Sequence, residues 1–267
     1  KWHSVKKIHD ICWIDMFFLE KIQNIIKAKK LLKENTWEKL LKKDVKIIKD
    51  VKKLWFSDKQ ISIITNIDES IVRDFRIKNE IISRIKQIDT LAWEFPAKTN
   101  YLYSTYHWTS DDIKKSEKIN KKKILVLWSW AYRIWSSVEF DWCSVNALKN
   151  LKKLWYETIV LNFNPETVST DFESSDKLYF EEISLEKILD IIDFEKPYWV
   201  IISMWWQIAN NLALPLKKAW VNVLWTKPED IDRAEDRNKF SALLDNIWVE
   251  QPKWAELTNI KEANKIW

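Results

Sequence analysis

Residues Ile124–Trp135 read I-L-V-L-W-S-W-A-Y-R-I-W. Four large aliphatics in a row, with no polar alternation, mark a short strand buried on both faces, as in a parallel sheet. A loop with Trp128, Trp130 and Trp135 follows, and then a stretch with helical spacing at about 139–154. The same order recurs downstream. Thr158-Ile159-Val160-Leu161, Val200-Ile201-Ile202-Ser203 and Val221-Asn222-Val223-Leu224 read as further strands, with helices expected at Leu185–Asp193, Asn210–Lys218 and Asp236–Asn246. Strands alternating with helices at this spacing predict a doubly wound parallel sheet.

The upstream part has another character. Residues 1–90 read as helices: Phe17, Phe18, Ile22, Ile25 and Ile26 form one apolar stripe, and Leu40, Leu41, Val45, Ile48 and Val51 another. Ser57 and Gln60 stand at the positions of a capping box, and Asp68 is placed to cap a helix over Glu69–Lys78. Residues 91–120, rich in Tyr, Thr and Ser, have no clear period and read as a connection. The fold class is therefore α + α/β. The expected divisions are a helical domain at 1–90, a connecting segment at 91–120, the Rossmann-like domain at 121–232, and the start of a further domain at 233–267.

The composition carries one anomaly. The chain of 267 residues has no Gly and 19 Trp, whereas a soluble protein of this length carries roughly 19 Gly. Trp55, Trp155, Trp220 and Trp248 each follow the expected end of a helix, where Gly adopts the left-handed cap conformation. Trp128, Trp130, Trp135, Trp205, Trp206 and Trp225 follow strands, in the loops where ligands bind in such sheets. Nearly every Trp thus occupies a position suited to Gly. A UGA codon that the host reads as glycine, or a deliberate exchange, would produce this pattern. A genuinely Trp-rich protein with stacking platforms for nucleic acid would not place its Trp at helix caps.

The remaining totals narrow the function. Net charge is +5, divided as 25 basic and 17 acidic groups over 1–120 and 19 and 22 over 121–267. The lysines of Lys27–Lys53 alternate with aliphatics at helical spacing, so they read as the solvated face of amphipathic helices rather than a nucleic-acid surface. No apolar run approaches the ~20 residues of a membrane span. Cys12 and Cys143 give no framework for disulfides or zinc, which suits a reducing, cytoplasmic setting. A start at Lys1 and an end inside a helical-looking stretch suggest a piece of a longer protein. His3, His9 and His107 have no ligand spacing. With Trp read as Gly, residues 128–135 become a Gly-rich loop at a helix start, suited to an anion. A nicotinamide dinucleotide would need an acid near the end of the second strand, and Leu161–Pro165 offers none before Glu166.

Several runs together resemble the large subunit of carbamoyl-phosphate synthase at the start of its second synthetase half. They are Ile124–Trp135, Val138–Cys143 (V-E-F-D-W-C), Asn164–Asp171 (N-P-E-T-V-S-T-D), Ser174–Glu181, Trp205-Trp206-Gln207 and Asp230–Arg237 (D-I-D-R-A-E-D-R). Asp89–Phe95 and Tyr101–Tyr106 extend the resemblance upstream, so that it covers nearly the whole chain and is strongest over 89–250. The family has Gly at most of these Trp positions. At Trp142 it has an aromatic, and Trp142 is the one expected genuine tryptophan. Ala131, Ser136-Ser137 and Ile208 depart from the family pattern.

The resemblance implies an ATP-dependent ligase that makes carbamoyl phosphate from bicarbonate, ammonia drawn from glutamine, and two ATP, for arginine and pyrimidine biosynthesis. It implies the end of the helical oligomerisation domain, a pre-ATP-grasp domain, and the first helix of an ATP-grasp domain. Arg237 matches an arginine that contacts ATP phosphate. Glu139 and Glu166 match carboxylates of an internal tunnel for carbamate, with Arg133 beside them, and Asn164 and Thr167 shape the loop. Trp128, Trp130, Trp135, Trp205 and Trp206 stand in the ligand loops. Magnesium or manganese would be held by downstream residues, so no catalytic residue is expected in this piece, which alone should be inactive. A glutaminase small subunit and further large subunits are the implied partners, with no nucleic acid and no membrane. Another ATP-grasp enzyme, such as a biotin carboxylase-type carboxylase, is the alternative; the helical residues 1–88 and the N-P-E-T-V-S-T-D run oppose it.

Overall fold

A computed structural model describes residues 3–34, 45–89, 96–128, 141–165, 167–202, 207–252 and 257. The chain divides into two compact units, residues 1–115 with 186–194, and residues 116–185 with 195–267.

The first unit is mainly helical. Helices α1 (Val5–Cys12), α2 (Met16–Glu34), α3 (Val45–Lys53), α4 (Asp58–Thr65) and α5 (Glu69–Lys78) precede a β-hairpin of β1 (Arg84–Gln87) and β2 (Tyr101–Thr105), paired antiparallel with Ile85 opposite Ser104. The hairpin corrects the sequence reading, which placed 84–90 with the helices and 101–105 in a connection. Each strand has a single aliphatic, Ile85 or Leu102, so neither shows the apolar run that betrays a buried strand. The expected caps are present: Ser57 Oγ accepts the Gln60 N–H at 3.1 Å, Gln60 Oε1 accepts the Ser57 N–H at 2.9 Å, and Asp68 Oδ1 accepts the Ser70 N–H. Leu32, Ile48, Val51, Ile61, Val72 and Phe75 form the core. Phe17, Phe18, Ile22, Ile25 and Ile26 on α2 stay exposed.

This unit also buries a cluster of charges. Lys52 Nζ meets Asp58 at 2.9 Å and Glu186 at 2.6 Å. Arg76 meets Asp58 at 3.1 Å and Asp190 at 2.9 Å, and gives a third hydrogen bond to the Ile81 carbonyl. Arg73 meets Asp190 and Asp193, and the Tyr106 hydroxyl donates to Glu186. Burial pushes the Glu186 and Asp190 carboxyls up, but the neighbouring cations outweigh it and hold both below the usual range. Burial and the Glu186 charge together hold Asp58 above it. Lys52 is therefore no member of a solvated face, as the spacing of lysines suggested; its side chain is 1% exposed.

The second unit carries the parallel sheet. Its strands are β3 (Asn120–Leu127), β4 (Glu157–Leu161), β5 (Lys177–Tyr179), β6 (Pro197–Ile201) and β7 (Val223–Leu224), in the order β5-β4-β3-β6-β7. Leu125 lies opposite Ile159 on one side and Val200 on the other. Ile124, Leu125, Val126 and Leu127 are all fully buried, as an uninterrupted aliphatic run requires. Helices α6 (Trp142–Lys153), α7 (Leu185–Glu195), α8 (Gln207–Asn210), α9 (Ala213–Lys218), α10 (Pro228–Glu235) and α11 (Arg237–Asn246) follow in chain order, residues 186–194 of α7 belonging to the first unit. Lys123 within β3 and Lys177 at the start of β5 converge on the fully buried Glu195 carboxylate at 2.6 and 2.8 Å, and the Tyr179 hydroxyl donates to it at 2.6 Å.

Among the described residues, the tryptophans expected at helix ends stand there. Trp55, Trp155, Trp220 and Trp248 have φ of 65°, 62°, 60° and 59°, and Trp13 and Trp225 are also left-handed at 60° and 86°. The first four close their helices in one way. Each Trp N–H bonds the carbonyl three residues back, and the N–H of the next residue (Phe56, Tyr156, Val221 or Val249) bonds the carbonyl five back, at 2.9–3.2 Å. That is the Schellman motif, whose left-handed position favours Gly because it has no Cβ. A Cβ there costs roughly 1–2 kcal/mol. The indoles recover little, since Trp155, Trp220 and Trp248 are 88%, 93% and 93% exposed. Trp142 and Trp199 differ, lying inside α6 and β6.

Candidate functional site

In a doubly wound sheet, ligands bind beyond the carboxyl ends of the strands, where the strand order reverses. Here β3 leads to β4 on one side and has β6 on the other, so the reversal lies at the ends of β3 and β6. Trp128 follows β3 directly. It is buried, its N–H donates to the Leu161 carbonyl at 3.2 Å, and its φ is not left-handed. Trp130, Arg133, Trp135, Glu139, Glu166, Trp205 and Trp206 lie outside the described residues.

What the structure places at the end of β4 is a knot of buried polar side chains. Asn162 takes the Asn164 N–H at 2.9 Å on Oδ1 and donates from Nδ2 to Thr167 Oγ1 at 3.3 Å. Thr170 Oγ1 donates to the Thr167 carbonyl at 2.7 Å, closing the 3-10 turn Val168–Thr170. Asp141, the residue before α6, is also buried. Its Oδ1 accepts from Ser144 Oγ at 2.7 Å, and its Oδ2 accepts the Ser169 N–H. Asn164 and Thr167 therefore shape the loop, as expected. Asp141 was visible only as part of the V-E-F-D-W-C run. Nothing in its spacing separates it from an ordinary helix cap, a role its side chain does not take.

Beside α6 a groove of about 700 Å³ opens, lined by Trp142, Cys143, Asn146, Leu151, Ile201, Leu224 and Trp225 among others. Ile201 and Leu224 are the last residues of β6 and β7. Cys143 is half-buried along this groove, rather than enclosed in the core as the sequence suggested; both thiols are free.

Arg237 opens α11, whose amino-terminal turn is capped by Asp236 Oδ1 accepting the Lys239 N–H at 3.0 Å. The guanidinium is exposed and forms no ion pair among the described residues. The charges of the D-I-D-R-A-E-D-R run that pair there are Asp230 with Arg233, and Asp232 and Asp236 with Lys239. An exposed guanidinium is a fixed fork for phosphate oxygens. The described residues hold no cluster of His, Cys, Asp or Glu placed for a metal ion. His9 and His107 each bond a backbone carbonyl, of Ile14 and Lys53. No helix among the described residues is long and apolar enough to cross a membrane.

Comparison with known proteins identifies two segments of the chain. Residues 2–80 match the carbamoyl-phosphate synthetase large chain oligomerisation domain, and residues 120–233 match the carbamoyl phosphate synthase preATP-grasp domain. The chain is 47% identical over 265 residues to the mitochondrial arginine-specific large chain of carbamoyl phosphate synthase from Neurospora crassa, covering 99% of this chain and 22% of that one. It is 47% identical over 264 residues to multifunctional protein ura1 of Schizosaccharomyces pombe, covering 99% and 12%. Multifunctional protein CAD of Squalus acanthias is 42% identical over 267 residues, covering 99% and 12%. The chain thus spans less than a quarter of the length of these relatives.

Proposed function

Because the chain belongs to the carbamoyl-phosphate synthase large-chain family, we propose that it works within a longer large chain as the end of the oligomerisation domain and the opening of the second synthetase half. That half phosphorylates carbamate: a carbamate oxygen attacks the γ-phosphorus of ATP, and ADP leaves with the bond's electrons. The observation that carries this reading is the match of both segments, in family order, within one alignment over nearly the whole chain.

Arg237 is proposed to hold an ATP phosphate oxygen; its exposure at the start of a helix leaves the guanidinium accessible. Glu139 and Glu166, with Arg133, are proposed to line the carbamate tunnel. Magnesium or manganese, held by carboxylates downstream of this chain, would neutralise phosphate charge during transfer. A glutaminase subunit would supply ammonia. The setting is cytoplasmic, the product serves arginine and pyrimidine synthesis, and residues 1–267 alone are inactive.

We further infer that the left-handed tryptophans at 13, 55, 155, 220, 225 and 248 stand systematically for glycines of the natural protein, through a host that reads UGA as glycine or a deliberate exchange. The absence of Gly elsewhere and the shared cap geometry support this. Glycine at 128, 130 and 135 would also let the backbone approach an anion without an indole in the way.

The test is the full-length protein from its host, given bicarbonate, ammonia and magnesium-ATP. Carbamoyl phosphate, trapped as citrulline by a transcarbamoylase, is the expected product. ATP hydrolysis without carbamoyl phosphate would overturn the assignment.

A further inference from the structure

Arg237 owes its place to a corner in the chain. Helix α10 ends at Glu235 and α11 begins at Arg237, so Asp236 alone joins them, in extended backbone with φ −83° and ψ 114°. Asp236 serves both helices. Its N–H bonds the Asp232 carbonyl of α10 at 3.1 Å, and its carboxylate caps α11. Lys239 Nζ ties α11 back to the Asp232 carboxylate at 2.6 Å. The corner is braced within itself, so Arg237 goes where the corner goes.

A side chain outside the corner holds it in place. Strands β6 and β7 are parallel, so the chain between them leaves the carboxyl end of β6 and returns to the amino end of β7. Helix α8 is the first helix of that connection, and Asn210 is its last residue. Asn210 Nδ2 donates to Glu235 Oε1 at 2.7 Å, across 25 residues of sequence. Ile231 already buries the middle of α10; the Asn210 bond fixes its last turn. An ionised carboxylate only accepts, so the amide must turn its nitrogen to Glu235. That leaves Oδ1 buried, with no hydrogen bond among the described residues. A buried acceptor without a donor costs stability. Removing the side chain would strand nothing in exchange, since Glu235 is exposed and can turn to water. Asn210 therefore gains the fold little; what it secures is the position of the end of α10.

We propose that Asn210 is a positioning residue for the nucleotide: through Glu235 it holds the α10–α11 corner on the carboxyl side of the sheet, and so sets where the Arg237 guanidinium meets phosphate. The inference rests on the proposed role of Arg237 in carbamate phosphorylation. Asn210 touches no reacting atom and acts through Arg237 alone.

The experiment uses the full-length large chain with its glutaminase partner and follows the proposed step in reverse. The phosphoryl group of carbamoyl phosphate passes to a β-phosphate oxygen of magnesium-ADP, carbamate leaves with the bond's electrons, and the ATP formed is measured. Bicarbonate-dependent ATP hydrolysis without ammonia reads the first phosphorylation as a control. For Asn210→Ala, kcat/KM for ATP formation should fall about fivefold, the scale of one hydrogen bond, with bicarbonate-dependent hydrolysis unchanged. Glu235→Ala should do the same. Glu235→Gln, whose Oε1 still accepts from Asn210 Nδ2, should keep most of the activity. Asn210→Ala combined with Arg237→Ala should be no worse than Arg237→Ala alone, because both act on one contact. Losses that multiply in the double variant would mean that Asn210 acts independently of Arg237, and would overturn the proposal. So would an unchanged Asn210→Ala, or a Glu235→Gln as poor as Glu235→Ala. Should Asn210→Ala fail to fold, Glu235→Ala, at an exposed residue, carries the same comparison with Arg237→Ala. If the wild-type protein forms no ATP from carbamoyl phosphate, or Arg237→Ala forms it normally, the functional reading itself fails, and this inference with it.

Discussion

Arg76→Met would cut the centre of the buried charge cluster while keeping similar length and volume. Arg76 is fully buried and gives hydrogen bonds to Asp58, Asp190 and the Ile81 carbonyl. Without it, Lys52 alone must balance both Asp58 and Glu186, and Arg73 alone must balance Asp190. Removing one partner of a buried pair costs about 3–5 kcal/mol, because the remaining charge stays buried. The Ile81 carbonyl loses a donor as well. Against a typical total of roughly 5–15 kcal/mol, this approaches local unfolding. Amide hydrogen exchange on the full-length protein reads the effect locally. Where opening is the exchange-limiting equilibrium, a loss of 3 kcal/mol at 1.4 kcal/mol per tenfold accelerates exchange by about 100-fold or more. The amides to follow are Ile48–Lys52 in α3 and Val72–Phe75 in α5. Arg73→Met is the comparison: Asp190 keeps Arg76, and the half-exposed Asp193 can turn to water, so its effect should be at least tenfold smaller on the same scale. Adding Asp58→Asn and Asp190→Asn to Arg76→Met should recover part of the loss by removing the stranded charges. An Arg76→Met protein whose α3 and α5 amides exchange within about threefold of wild type would refute the assignment of these charges as a tightly coupled buried cluster.

Other outcomes follow from the same structure. Glu195 is pushed up by burial, but hydrogen bonds from Lys123 and Lys177 outweigh this and lower it below its ordinary value of 4.5; its stabilisation is present above that value and lost as pH falls through the depressed one. Glu195→Gln should therefore lower the denaturation midpoint at neutral pH and flatten its fall in acid, and an acid limb as steep as wild type would count against this. Arg237→Ala should raise the KM for ATP about tenfold or more, with Arg237→Lys failing to restore it; an unchanged KM removes Arg237 from the nucleotide site. If the polypeptide is made with tryptophan, Trp155→Gly and Trp220→Gly should each stabilise it by about 1–2 kcal/mol in denaturant titrations, and destabilisation by either would mean that the indole contributes packing.

The aliphatic run at 124–127 made the parallel sheet legible, because a short run of four such residues, followed by a loop and a helical period and repeated downstream, suits a strand buried on both faces. Ser57 and Gln60 were legible as a capping box for the same local reason. The hairpin of Arg84–Gln87 and Tyr101–Thr105 was not, since its strands are separated by 13 residues and each carries only one aliphatic. Lys52 was misread because a lysine among aliphatics at helical spacing has one appearance whether it faces water or a buried Asp58 and Glu186. Asp141 was hidden for a related reason: its partner, the Ser169 N–H, is a backbone group with no sequence signature. The motif-level identity of the loops was legible because several separated runs agreed, although most of the loop residues they contain fall outside the described part of the chain.

A working second synthetase half needs glycine, not tryptophan, at the left-handed positions and in the ligand loops. Peptide mass spectrometry of the protein purified from its host, covering Leu154–Lys177, Ala219–Arg233 and Ile124–Arg133, addresses this directly. Glycine residue masses are expected at 155, 220, 225, 128 and 130. Tryptophan masses at these positions would contradict this, leaving strained caps and indole-filled loops that a working carbamoyl-phosphate synthase should not have.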